Sequence, residues 1–236
     1  MKSQMDKPIY SDYLSDGFGI GTFFTPNQHE KLSSFCAHWL ASIVGVKEVN
    51  LRDVSNYQNW PKKITSKHST YLSAKNRHCI PPEHVSNLIY NNEIIQETVE
   101  RITGKFEVWD EGLGWLAFRL VRPKEWNDGY ELSCKEWGPG NKLLSFCFPI
   151  VQTNTKHHLG CVRGSHLKRY SAKPDTSSKF CKEELRLDLK KHPVDVIYPE
   201  IELGQGLFFG SKLLHCERPS DATQTTRFSL EVRFVM

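Results

Sequence analysis

Apolar and polar positions alternate in two different rhythms along this chain. In the first part the rhythm is helical. Thr25-Pro26-Asn27-Gln28 supplies an N-cap threonine, a proline at the first helical position and a glutamine three residues after the cap. Leu32, Phe35, Cys36 and Trp39 follow at helical spacing, which predicts a helix over 26–43 with one buried face. A second helical pattern runs through Glu83–Thr103, opened by Pro81-Pro82 and closed by Gly104. Ahead of the first helix, Gly17–Phe24 reads as a short strand. Residues 47–80 are polar and poorly periodic, and read as loop with short pieces of structure.

From Trp115 onward the rhythm is that of strands. Runs at Leu116–Arg122, Glu131–Trp137, Leu143–Val151, Leu159–Arg163, Val194–Tyr198, Gly206–Phe209 and Thr226–Val235 are mostly separated by Gly, Pro and Asn clusters. The last run is the cleanest. Phe228, Leu230, Val232 and Phe234 fall on one face, and Arg227, Ser229, Glu231 and Arg233 on the other. Short strands preceded by helices predict a mainly β fold, a two-sheet sandwich or jelly roll with helices on one outer face. The expected organisation is one domain over 1–236, helical over about 1–110 and a barrel over about 115–236, since 236 residues fit one generous domain.

Composition narrows the function classes. With 39% hydrophobic and 25% charged residues the chain has an ordinary globular balance. No apolar run reaches the roughly 18 residues of a membrane helix, and the first residues lack the apolar core of a secretory signal. The expectation is a cytoplasmic protein with no membrane partner. Seven cysteines with no CxxC pair argue against a disulfide framework or a zinc ribbon. A net charge of +4 is too mild to imply nucleic acid. The excess is local: 163–191 holds nine Lys/Arg against four Asp/Glu, leaving 22 against 23 elsewhere. That segment is either a solvated face or a lid that attracts an anionic small molecule.

The chemistry concentrates in the C-terminal half, in Arg163-Gly164-Ser165-His166, in His215, and in Arg227 and Ser229 twelve and fourteen residues later. With Asp16-Gly17-Phe18, Thr25-Pro26 and Phe118–Pro123, these pieces resemble, in order along the chain, the phytanoyl-CoA dioxygenase-like branch of the Fe(II)/2-oxoglutarate-dependent oxygenases. The resemblance implies a double-stranded β-helix of the cupin-like, jelly-roll kind. It implies Fe(II) held by a His-x-Asp/Glu pair and a distal histidine, with 2-oxoglutarate as cosubstrate. Carried onto this sequence, the metal positions are Cys134, Glu136 and His215. Arg227 and Ser229 match the carboxylate anchor, for which a guanidinium fork is suited. Arg163, His166 and Trp137 are candidate substrate contacts. Cys134 departs from the family's histidine, and a thiolate is softer and more easily oxidised. His158-Leu159-Gly160 resembles the halogenase variant of the motif.

Each of these residues also has a plain structural reading. Cys134 can be a packed hydrophobe, His166 a turn pin, Arg227 a salt-bridge partner, and Trp126 and Trp137 core. Three functions therefore follow: an oxygenase hydroxylating a small anionic or sugar-like metabolite, a non-catalytic relative that binds ligand without iron, or a metal-independent cupin-type sugar-nucleotide isomerase.

Overall fold

The computed structural model describes residues 9–44, 47–48, 78–79, 81–109, 116–121, 131–137, 143–151, 159–168, 173–174, 181–188, 194–216 and 227–236. For 9–11, 43–44, 78–79, 119–121, 131–137, 173–174, 181–188 and Arg227 it describes the backbone alone. Among the described residues four α-helices precede most of the sheet: α1 (Ile9–Asp16), α2 (Pro26–Val44), α3 (Glu83–Tyr90) and α4 (Glu93–Thr103). The strands are β1 (Phe18–Thr22), β2 (His78–Cys79), β3 (Leu116–Val121), β4 (Glu131–Trp137), β5 (Leu143–Pro149), β6 (Gly160–Cys161), β7 (Lys173–Pro174), β8 (Cys181–Asp188), β9 (Gln205–Gly210), β10 (His215–Cys216) and β11 (Arg227–Val235).

The local signals act as their chemistry requires. At the start of α2 the Thr25 N–H donates to Gln28 Oε1 at 2.9 Å, and the Gln28 N–H returns to Thr25 Oγ1 at 3.3 Å, a reciprocal capping box. The single helix expected over Glu83–Thr103 is two. Asn92 Oδ1 accepts from the N–H groups of Ile94 and Ile95, at 3.1 and 3.0 Å, and starts α4 afresh. Asn92 Nδ2 also donates to Phe23 O at 2.6 Å, tying the break to the segment after β1. Helix α1 was not legible as a helix, since its sequence IYSDYLSD is short and polar.

The strands form two antiparallel sheets, in the orders β1-β9-β5-β11-β3-β2 and β6-β10-β4-β8-β7. Followed along the chain, β3, β5, β9 and β11 lie in the first sheet, and β4, β6 and β10 in the second. Ile197, in place of the strand expected at Val194–Tyr198, makes an isolated bridge to Cys161. The chain therefore winds back and forth between the sheets rather than finishing one before starting the other.

The alternation of β11 decides which face is which. Phe228, Leu230, Val232 and Phe234 are fully buried in the main core with Phe118, Phe146 and Phe208 of the neighbouring strands and with Leu32 and Cys36 of α2. Each such phenylalanine contributes roughly 1.5–3 kcal/mol by leaving water. The other face of the same sheet looks toward the second sheet. There Leu207 and Phe209 of β9 join Phe18, Leu159, Cys161 and Leu213 in a smaller cluster. Among the described residues, no helix is long and apolar enough to cross a membrane.

Candidate functional site

His215 opens β10, and four neighbours fix it. In the sheet it pairs with Cys161 of β6 on one side and Ser133 of β4 on the other. Its ring lies 4.8 Å from that of Phe209, which belongs to the first sheet, so the imidazole reaches the space between the sheets. Nδ1–H donates to Leu213 O at 2.9 Å, because a carbonyl can only accept. That bond places the ring proton on Nδ1.

The Arg163–Leu167 turn works as a clamp with two jaws. One jaw holds the approach to His215: the Leu214 N–H donates to the fully buried Ser165 Oγ at 2.9 Å, and the Val162 N–H donates to Leu214 O at 3.0 Å. The other jaw holds the end of α1. His166 Nε2–H donates to Leu14 O at 3.2 Å, the Gly164 N–H donates to Asp16 O at 2.9 Å, and Arg163 Nε lies 3.3 Å from Asp16 Oδ2. Gly17 is required beneath this contact. Its φ is +86°, and a Cβ there would come within 2.4 Å of His166 Nδ1. The described contacts of Arg163 and His166 are thus those of a docking turn.

Across the gap, β11 presents its second face. Ser229 is fully buried and its Oγ has no hydrogen-bond partner. A buried hydroxyl without a partner costs about 1–3 kcal/mol, so it marks a place where a polar group belongs. Two and four residues on, Glu231 Oε2 and Arg233 Nη2 pair at 2.7 Å with both side chains 9% exposed, and the Arg233 guanidinium lies 5.9 Å from the Trp109 ring centroid. Arg227 holds the position on the same face two residues before Ser229. Its side chain lies outside the described residues.

The residue across from His215 is Ser133, so Cys134 and Glu136 occupy the alternate positions of β4 and do not share the face of His215. A one-residue offset is sufficient to exchange the two sets. The side chains of Cys134, Glu136 and Trp137 lie outside the described residues, as do Trp126 and His158. Among the described residues, no three His, Cys, Asp or Glu side chains converge as a metal site.

Of the basic segment 163–191, the described strands β7 and β8 extend the second sheet beyond β4 rather than standing over it as a lid. Sequence reasoning also missed Phe209 and Cys161 as neighbours of His215. Cys161 is fully buried, and burial first, then the neighbouring Cys216 and Cys147, push its thiol pKa well up. The Glu231–Arg233 pair was visible in the alternation of β11, which groups both residues with Ser229.

No family model and no curated protein matches this sequence. Solved structures do match the fold. A crystal structure of AviO1 from Streptomyces viridochromogenes Tue57 is 13% identical, with a TM-score of 0.54, covering 99% of this chain and 96% of that one. The epimerase SnoN, in complex with Fe3+, alpha ketoglutarate and nogalamycin RO, is 13% identical with a TM-score of 0.57, covering 95% and 81%. The non-heme alpha ketoglutarate dependent carbocyclase SnoK, from nogalamycin biosynthesis, is 13% identical with a TM-score of 0.56, covering 98% and 84%. The winding of the chain between two sheets, with helices on one outer face, is the fold this protein shares with them.

Proposed function

We propose that this protein is a double-stranded β-helix of the Fe(II)/2-oxoglutarate-dependent class, an oxidoreductase acting on a small molecule, with 2-oxoglutarate bound between the sheets at Ser229 and Arg227. The observation that carries the proposal is the buried, unpartnered Ser229 Oγ on the face of β11 that also holds position 227. A hydroxyl donor beside a guanidinium suits a carboxylate, which accepts several hydrogen bonds at once. The fold likeness supports the reading, since SnoN was solved with alpha ketoglutarate and Fe3+. Because those neighbours include an epimerase and a carbocyclase, the proposal extends to oxidations other than hydroxylation. The phytanoyl-CoA dioxygenase-like branch remains the sequence relationship we favour, with a cytoplasmic location and a substrate attracted by the basic 163–191 segment.

The residues fit the two groups unequally. For 2-oxoglutarate, Ser229 supplies a waiting donor. For iron, His215 is the described candidate ligand, and the β4 register sets Cys134 and Glu136 one residue out of step with it. Iron when bound would supply the redox chemistry of the class. The chain's own residues bind and orient: Ser165 and Leu213 O hold the His215 segment and its tautomer, Phe209 packs on its ring, and Ser229 with Arg227 grips the far carboxylate.

The β4 register favours a second reading, a 2-oxoglutarate-binding barrel without iron. Anaerobic titration of the metal-free protein with Fe(II) and 2-oxoglutarate separates the two. The visible charge-transfer absorption of the chelated complex is expected for the first. Cosubstrate binding without that absorption establishes the second, and failure of 2-oxoglutarate to bind at all removes both.

A further inference from the structure

The carbonyl that receives the His215 ring proton belongs to Leu213, only two positions back along the chain. That carbonyl and the Leu214 N–H share one peptide plane and leave it in opposite directions, because the bond is trans. The N–H end meets Ser165 Oγ at 2.9 Å, and the carbonyl end meets His215 Nδ1 at 2.9 Å. Ser165 and the imidazole therefore hold a single planar unit from its two ends. Hydrogen bonds strung in this way polarise one another.

Among the described residues nothing else bonds this plane. The Leu213 N–H, which donates to Gly210 O at 3.0 Å, belongs to the peptide before it, and Leu214 O, which accepts from the Val162 N–H at 3.0 Å, to the peptide after it. Leu213, Leu214 and Ser165 are fully buried. A buried N–H that loses its acceptor turns toward another, and here the same rotation carries away the carbonyl that receives the His215 proton. Ser165 is itself fixed through both neighbours. Gly164, left-handed at a φ of +66°, sends its N–H to Asp16 O at 2.9 Å, and His166 Nε2–H donates to Leu14 O at 3.2 Å. The end of α1 thus places the hydroxyl.

We propose that Ser165 is a positioning residue for His215: acting through the Leu213–Leu214 peptide, its hydroxyl keeps the ring proton on Nδ1 and the imidazole in one orientation. Which ring nitrogen carries the proton decides what a histidine can bind or accept. The inference deepens the proposed site between the sheets and rests on it for its purpose, while the chain of bonds belongs to the ligand-free protein.

The test reads the ring nitrogens of His215 by nitrogen NMR in the metal-free protein at pH 8, with His215→Gln identifying the signals. Wild type should show the ring protonated at Nδ1. In Ser165→Ala the ratio of the Nδ1–H to the Nε2–H tautomer should fall at least about fivefold, the equivalent of one lost hydrogen bond. Ser165→Cys, whose sulfur is a weaker acceptor, should shift the ratio in the same direction by less. Ile95→Val, a cavity in the helix-side core, lowers Tm without touching the peptide and should leave the ratio unchanged. If Ser165→Ala does not fold, the cysteine variant decides: a shifted ratio supports the role, and the wild-type ratio overturns it. The wild-type ratio in Ser165→Ala, an equal shift in Ile95→Val, or a wild-type ring not protonated at Nδ1 also overturns it. No ligand enters this measurement, so a failed 2-oxoglutarate titration removes the proposed function and leaves the result for Ser165 as it stands.

Discussion

Ser133 stands directly across the sheet from His215, and Cys134 does not. A cross-strand pair brings Cβ atoms to about 4.5–5.5 Å, close enough for two imidazoles to share one metal ion. Ser133→His should therefore create a two-histidine site with His215 and raise Ni(II) or Co(II) affinity by at least about tenfold. Cys134→His, at the alternate position, should leave it unchanged. Metal titration of both variants checks the register, and the opposite ranking would return Cys134 to the face of His215.

The carboxylate anchor gives a second expectation. Arg227→Ala should abolish 2-oxoglutarate binding, and Ser229→Ala should weaken it several-fold, with neither variant lowering Tm appreciably. Ser229→Ala removes an unpartnered buried hydroxyl, so a slight gain in stability is expected in the ligand-free protein. Retained affinity in Arg227→Ala would take the anchoring role from that residue.

What the sequence could and could not reveal here follows from the range of the forces involved. Strand β11 was legible down to which residues share a face, because nine residues of strict alternation leave one register that buries four aliphatic and aromatic side chains. The capping box at Thr25 was legible because it is closed within four residues. The split between α3 and α4 was harder: Asn92 interrupts a helical period without a Gly or Pro, and its bond to Phe23 O spans 69 positions. The register of β4 was out of reach. Its sequence lacks strong alternation, and its pairing is set by β8 and by the two-residue β10. Hence Arg227, Ser229 and His215 stood out as a pattern, while Ser133 and Phe209 needed the sheets assembled.

The docking of α1 predicts an asymmetric pair of substitutions. Gly17→Ala places a Cβ 2.4 Å from His166 Nδ1 and forces an L side chain to a φ of +86°, so it should cost about 2 kcal/mol or more. His166→Ala removes the nearest clash but leaves Leu213 Cδ1 at 2.9 Å and the backbone strain. In the double variant the cost of Gly17→Ala should therefore shrink without vanishing, which a double-mutant cycle in urea reads directly.

Between the sheets, the Glu231–Arg233 pair should behave as a buried ion pair. Removing one member takes a close partner from the other's buried charge, so Glu231→Ala is expected to destabilise the fold by up to about 3–5 kcal/mol. Replacing both, as Glu231→Leu with Arg233→Met, should cost much less than the sum of the single changes. Thermal denaturation of the three variants tests this, and strictly additive losses would mean that the two side chains act independently.

Cys161 carries the pH dependence that can be read from this fold. Its thiol is held protonated chiefly by burial, with Cys216 and Cys147 adding to the shift. A raised pKa in the folded state means that both states hold the proton below the ordinary thiol value of about 8.5. Above that value the unfolded chain releases its proton first, so this contribution to stability is full at neutral pH and declines as the solution becomes alkaline. Urea midpoints should fall from about pH 8.5 upward, and Cys161→Ala should flatten that slope even though the cavity it leaves lowers stability at every pH. The same burial keeps the thiolate, the form that alkylates, out of the native protein. Iodoacetamide at pH 8 should therefore leave Cys161 unmodified until denaturant is added, and rapid labelling in the native state would show that the space around His215 is open to solvent.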